Sequence, residues 1–162
     1  MKYSQRFETA IHRLVKAFFE GTLKKGTCTA CAVGTMCNGY SDWDKLFVSR
    51  GYGIQVRTGL NILRREPQKH LQEIEEELVL QSGYTADDLA RIEEAFERST
   101  YISWMEYRSF YHSKEAIMQD QFNGLMAVVD VLCEIEGIAP EPVKEYFNFD
   151  QSLKPIKELI EL

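Results

Sequence analysis

"KEAIMQDQFNGLMAVVDVLCEIEGI", residues 114–138, decides the fold. Its second half carries Phe122, Leu125, Met126, Val128, Val129, Val131, Leu132 and Ile135, so apolar side chains recur around most of a helical circumference. A helix apolar nearly all round is costly to leave in water and belongs at the centre of a bundle. Gly137 and Pro140 are its expected end. Working upstream, "YTADDLARIEEAFERS" opens on Thr85 with Asp88 three residues later, a pattern that starts a helix, and Leu89, Ile92, Ala95 and Phe96 form its inward stripe. "PQKHLQEIEEELVLQSG" predicts another helix, with Pro67 in its first turn and Leu71, Ile74, Leu78 and Val79 facing inward until Ser82 and Gly83 end it.

Residues 3–20 place Phe7, Ile11, Leu14, Val15, Phe18 and Phe19 at helical spacing, and Gly21 is the stop. In "SDWDKLFVS", Ser41 and Asp44 have the form of a capping box before Trp43, Leu46 and Phe47. "RGYGIQVRTGLNIL" keeps neither period and is expected to be loop with a short helix at most, whereas "SLKPIKELIEL" suggests a final short helix broken near Pro155. The aromatic stretch from Tyr101 to Tyr111 fits either a helix or a loop. No strand pattern, repeat or linker interrupts the series. The expectation is one all-α domain, a compact helical bundle over residues 1–162.

Composition agrees. Of 162 residues 44% are hydrophobic and 12% aromatic, far from the make-up of a disordered chain. Acidic residues outnumber basic ones by 25 to 19 and the basic ones are dispersed, which argues against a nucleic-acid partner. Lys2, Arg6, Glu8, Arg13 and Lys16 break any signal-peptide core, and no apolar run reaches membrane-spanning length, so the cytoplasm is the expected compartment. There, four cysteines are thiols or metal ligands rather than a disulfide framework.

The chemistry concentrates in "KKGTCTACAVGTMCNGY", residues 24–40. Thr27 or Thr29 would cap a short helix bounded by Gly34 and Gly39. Cys28, Cys31 and Cys37, joined by Cys133 from the central helix, make four soft ligands that could close a tetrahedral zinc site, although a second C-x-x-C is missing. Alternatively, Cys28-x-x-Cys31 is a thiol redox pair, with Cys28 at a helix start, where unpaired amides favour thiolate; the strand context of the thioredoxin-like motif is absent. Burial as small hydrophobes is the third reading. The helix-face pairs Glu8–His12 and Glu66–His70, with Glu73, lack the Glu-x-x-His of carboxylate-bridged di-iron bundles, and "RIEEAFE" reads as a solvated charged face. Signatures of nucleotide, serine-hydrolase and calcium sites are absent as well.

Three stretches, "AFFEGTLKKGTCTACAVG", "LARIEEAFE" and "QFNGLMAVVDVLCEIEGI", together resemble a family of small, uncharacterised bacterial proteins with a C-x-x-C-A-V-G motif after the first helix and an F-N-G-L-x-A-V-V-x-x-L-C helix late in the chain. Cys28, Cys31, Ala32, Val33 and Gly34 match the first motif; Phe122, Asn123, Gly124, Leu125 and Cys133 match the second. Where that family carries Asn after the glycine and His at the end of the preceding helix, this chain has Thr35 and Phe19. Some members bear the name of the F subunit of the sodium-translocating NADH:quinone reductase. An enzyme resembling that subunit needs a ferredoxin-like domain with four cluster cysteines and a flavin- and nicotinamide-binding module, which this helical chain lacks. The resemblance implies no known chemistry.

Two function classes follow. One is a non-catalytic binding or interaction module, with or without a structural zinc at the cysteines, in which the Tyr101–Tyr111 aromatics either fill the core or meet a protein partner; the other is a thiol redox enzyme or sensor using Cys28 and Cys31. Exposed Tyr107 and Tyr111 would favour the first, and an exposed Cys28 over a buried Cys31 the second.

Overall fold

A computed structural model describes residues 3–50, 67–99 and 114–147. Seven helices and no strands occur among them: α1 (Gln5–Glu20), α2 (Ala32–Met36), α3 (Trp43–Ser49), α4 (Gln68–Ser82), α5 (Ala86–Arg98), α6 (Lys114–Glu136) and α7 (Pro140–Phe147). The all-α class is therefore as expected. The glycine-rich loop from residue 51, the aromatic stretch at 101–113, the final short helix and the partner surface assigned to the aromatics lie outside the described residues.

Local chemistry sets most helix ends. The Ser4 hydroxyl accepts from the Phe7 N–H at 3.3 Å and opens α1, whose Phe7, Ala10, Ile11, Leu14, Val15, Ala17 and Phe18 are buried. Gly21 closes it in the left-handed region at φ 73°, its N–H returning to the last turn. Thr85 accepts from the Asp88 N–H at 3.2 Å and opens α5.

Three expectations are corrected at helix edges. The Ser41–Asp44 capping box does not form, because α3 begins one residue late and the Ser41 carbonyl, not its hydroxyl, accepts from the Asp44 N–H at 3.4 Å. Val79 is 45% exposed, not inward; one residue turns about 100° around the helix, which carries it off the stripe of Leu71, Ile74 and Leu78. Pro140 is the first residue of α7 rather than merely a stop, in the position where its missing N–H costs nothing.

Helix α6 packs on α5 most extensively, and also on α1 and α7. Leu125, Val128, Val129, Leu132 and Cys133 are buried, whereas Phe122, Met126, Val131 and Ile135 are only partly covered and Asp130 and Glu134 are exposed. One broad side of α6 is enclosed, then, and not its whole circumference. Gly124 explains how α5 comes so close: a Cβ there would stand 2.8 Å from Cδ1 of Phe96.

Polar ties join the helices at their ends. Arg6 reaches Glu136 at 2.7 Å and lies over the Tyr84 ring, while the Tyr84 hydroxyl donates to the same carboxylate at 3.0 Å. One Arg13 nitrogen donates to the carbonyls of Met36 (2.5 Å) and Gln81 (2.7 Å), closing off the C-terminal turns of α2 and α4 together. Lys25 pairs with the fully buried Asp120 at 3.0 Å and also donates to the Ser99 carbonyl.

Leu125→Ala is expected to lower unfolding free energy by about 2 to 5 kcal/mol in denaturant titration, the range for emptying an enclosed leucine site. A loss below about 1 kcal/mol would place Leu125 outside the core.

Candidate functional site: a thiol pair beside a buried carboxyl

The segment between α1 and α2 is a tight turn. The N–H groups of Ala30 and Cys31 both point at the Thr27 carbonyl, at 3.0 and 2.7 Å. Neither threonine caps α2. Cys31 does, in an extended conformation, with its sulfur accepting from the Gly34 N–H at 3.4 Å in the manner of a serine oxygen. Cys28, expected at the helix start, stands a turn ahead of it.

Gly34 lies inside α2 instead of ending it, and its place is fixed by contact. A Cβ there would sit 2.2 Å from the Cys28 carbonyl oxygen and 2.8 Å from the Thr29 carbonyl carbon. The Trp43 indole N–H, from α3, donates to that same Cys28 oxygen at 2.8 Å. The turn is thus pressed onto the backbone of α2 on one side and held by α3 on the other. Cys31, Ala32 and Val33 are fully buried, and the Cys28 side is partly exposed.

The first turn of α2 has a second partner, which comes from α5. Glu93 is 0% exposed, and its Oε2 accepts from the Val33 N–H at 3.0 Å. Cys31 sulfur and Glu93 carboxyl therefore occupy adjacent amides of one helix start. The other oxygen, Oε1, receives no hydrogen bond of good geometry, although the Cys31 thiol and the Glu97 carboxyl are close enough to shape its titration. The reading of "RIEEAFE" as a solvated face is corrected at this residue. A signal for it exists in the sequence: Glu93 stands four residues after Leu89 and three before Phe96, on the apolar stripe itself.

Burial dominates the electrostatics. It pushes the Glu93 carboxyl up to about 8, with the negative charge of Glu97 adding and the Val33 amide opposing. Burial, then the nearby Glu93, pushes the Cys31 thiol well up. Cys28 is raised by burial and by Asp44. Cys37 rises to about 12 through burial, opposed by a Ser82 hydrogen bond and by Arg13, and Cys133 to about 11 through burial and Asp130.

All four cysteines are free thiols. As a zinc set they do not fit together: among the described residues no three Cys, His, Asp or Glu side chains converge as a metal ion requires. Cys28 and Cys31 share the turn, Cys37 faces Arg13 and Ser82, and Cys133 has Asp130 and Lys144 for neighbours. No helix among the described residues is long and apolar enough to cross a membrane.

Fold and site together define a helical bundle carrying an uneven thiol pair against a buried acid. Set against protein-family models, curated proteins and solved structures, the chain matches none of them.

Gly34→Ala is expected to cost more than about 3 kcal/mol, above the usual overpacking penalty, since the clash is with backbone; thermal denaturation measures it. A stability within about 1 kcal/mol of wild type would show that the turn can move away. For Glu93, the folded value near 8 exceeds the ordinary 4.5, so between those pH values the unfolded chain releases a proton that the folded chain keeps. Stability is fully present below about pH 4.5 and falls as pH rises toward 8, by at most about 1.4 kcal/mol per pH unit from this group. Glu93→Gln should remove that slope from denaturant midpoints measured across the range.

Proposed function

We propose that this protein carries out thiol–disulfide exchange through Cys28 and Cys31. The observation that supports it is the inequality of the pair, a partly exposed Cys28 three residues before a fully buried Cys31. An entering thiol must meet a disulfide from outside, while the resolving thiol is best kept where no outside sulfur can reach it. Residues three apart on one turn lie near enough for a disulfide, which needs Cα atoms about 4.4 to 6.8 Å apart.

The exchange balances without a metal or organic cofactor. Cys28, as thiolate, attacks one sulfur of a partner disulfide; the partner's S–S bond breaks, one partner thiolate leaves, and a mixed disulfide joins Cys28 to the other half. Cys31 loses its proton and attacks the Cys28 sulfur, the second partner thiolate departs, and the protein is left with a Cys28–Cys31 disulfide. The partner disulfide gains two electrons and the protein dithiol loses two. In a reducing compartment such as the cytoplasm, the dithiol is the resting form.

The cysteine ligand set gives the structural-metal alternative no comparable support, since its four members do not converge. Cys37 and Cys133 serve as packing residues in this reading, buried and strongly protonated.

Equilibration of the full chain with reduced and oxidised glutathione, followed by mass spectrometry, tests the proposal. The expected product is a loss of about 2 Da mapped to a Cys28–Cys31 bond, reversed by dithiothreitol. Cys31→Ser should instead accumulate glutathione on Cys28. Four free thiols surviving an oxidising poise, with Cys28 unmodified, would overturn it.

A further inference from the structure

The Glu93 carboxyl has no structural duty that explains both its oxygens. One holds the Val33 amide, a bond an uncharged glutamine could also make, and the other lies buried with no well-formed hydrogen bond. A buried polar atom left in this state is destabilising, and in native proteins it points to an ordered water, a ligand, a strain or a chemical role. Its surroundings narrow the choice. The neighbouring helix cap is a thiol, Cys31, and that thiol is the resolving group of the exchange reaction.

We infer that Glu93 is the proton acceptor for Cys31 when the Cys28–Cys31 disulfide closes, an assignment that rests on the thiol-exchange reading above. Cys31 is fully buried, so no solvent base reaches its proton. Its sulfur accepts from the Gly34 amide and faces the Cys28 carbonyl at 3.8 Å, while the Glu93 carboxyl, near enough to the thiol for each to shift the other's titration, accepts from the Val33 amide next along the turn. The S–H proton passes to the Glu93 carboxylate, the sulfur electron pair forms the bond to Cys28, and the bond from Cys28 to the departing thiolate breaks. Glu93 becomes the neutral acid, and the reverse proton transfer accompanies reduction.

The charged groups around Glu93 suit this traffic. Glu97, on the same helix, supplies negative charge that favours the protonated acid and accepts the Gly26 N–H at 2.8 Å. Cys31 and Cys37 approach from the two ends of α2. Near Phe96, Lys25 is engaged by Asp120 at 3.0 Å and so does not stand as a counter-ion to Glu93. A carboxyl titrating near 8 is poised to take and return a proton close to neutral pH.

The experiment loads Cys28 of the full chain with 5-thio-2-nitrobenzoate, using one equivalent of the aromatic disulfide reagent, and follows release of the second coloured thiolate between about pH 6 and pH 10. Release is expected to rise through an inflection near 8 in the wild type, and to slow at least about tenfold in Glu93→Gln near neutral pH, with its inflection moved to the higher value of the thiol itself. Formation of the mixed disulfide at Cys28, the first release, should stay within about twofold in that variant, which a general loss of structure would not allow. An unchanged second release with an unchanged pH profile overturns the role of Glu93 and leaves the exchange reading standing. Absence of any second release from the wild type overturns both. Should Glu93→Gln fail to fold, the wild-type profile decides alone: a rise with no step near 8 rejects the assignment.

Discussion

One fully buried hydrogen bond, from the Val33 N–H to Oε2 of Glu93, is the constraint on which this architecture turns. Helix α2 has five residues, too few to persist by propensity. Its start is held instead by two side chains, the sulfur of Cys31 and the carboxyl of Glu93, which satisfy two of the amides that a helix start leaves open. Because Glu93 belongs to α5, that bond sets the position of α2 relative to the longest packed pair in the bundle, α5 and α6. The turn before α2 is then placed by contact, through Gly34 against the Cys28 carbonyl and Trp43 on the same oxygen. Contacts from α2, α3 and α5 thus fix the turn that carries Cys28 and Cys31.

The bond is not an economical way to build a helix start. Taking a carboxylate wholly out of water costs several kcal/mol unless it is fully paired, and here the group answers by holding its proton to a pH near 8. An apolar residue at position 93 would continue the Leu89–Ile92–Phe96 stripe with no such cost, while a solvated cap could serve the Val33 amide. Strongly displaced ionisable groups of this kind concentrate at sites of chemistry, and a thiol of the C-x-x-C pair is among the groups that influence this one.

What the sequence makes legible divides along the range of the interaction. Thr85 before Asp88 and Gly21 after Phe19 act within one turn of chain, so their roles follow from the residue types and are found in place. The inward residues Leu71, Ile74 and Leu78 follow from period alone. Edges of stripes do not: Val79 is turned outward by a rotation smaller than the pattern resolves, and the flanking Phe122, Met126, Val131 and Ile135 of α6 are only partly covered. The site was the least legible part. Gly34 looks like a helix stop until the Cys28 carbonyl is brought against it, and Glu93 looks like one more acid in a charged run until its phase with Leu89 and Phe96 is counted. The zinc set of Cys28, Cys31, Cys37 and Cys133 required a convergence that spacing along the chain cannot test.

The protonation of Cys28 decides what kind of exchange this geometry can support. A thiol raised by burial and by Asp44 above its ordinary value is mostly protonated at neutral pH, and it receives no help from a helix start, since Cys31 occupies that place. A fast oxidoreductase would need the opposite arrangement. The loss is partial, because nucleophilicity rises with thiol basicity, but the entering step stays slow and rises with pH. Once Cys28 carries a mixed disulfide, the second step escapes that limit: the attacking sulfur is already adjacent, and an intramolecular thiolate has a large effective concentration. Under the proposed exchange, slow entry followed by assisted closure would make the disulfide, rather than the mixed species, the form that accumulates. If the proposed exchange operates, that kinetic order fits slow, sustained oxidation and not rapid turnover, and closure of the disulfide would leave a proton on the buried Glu93.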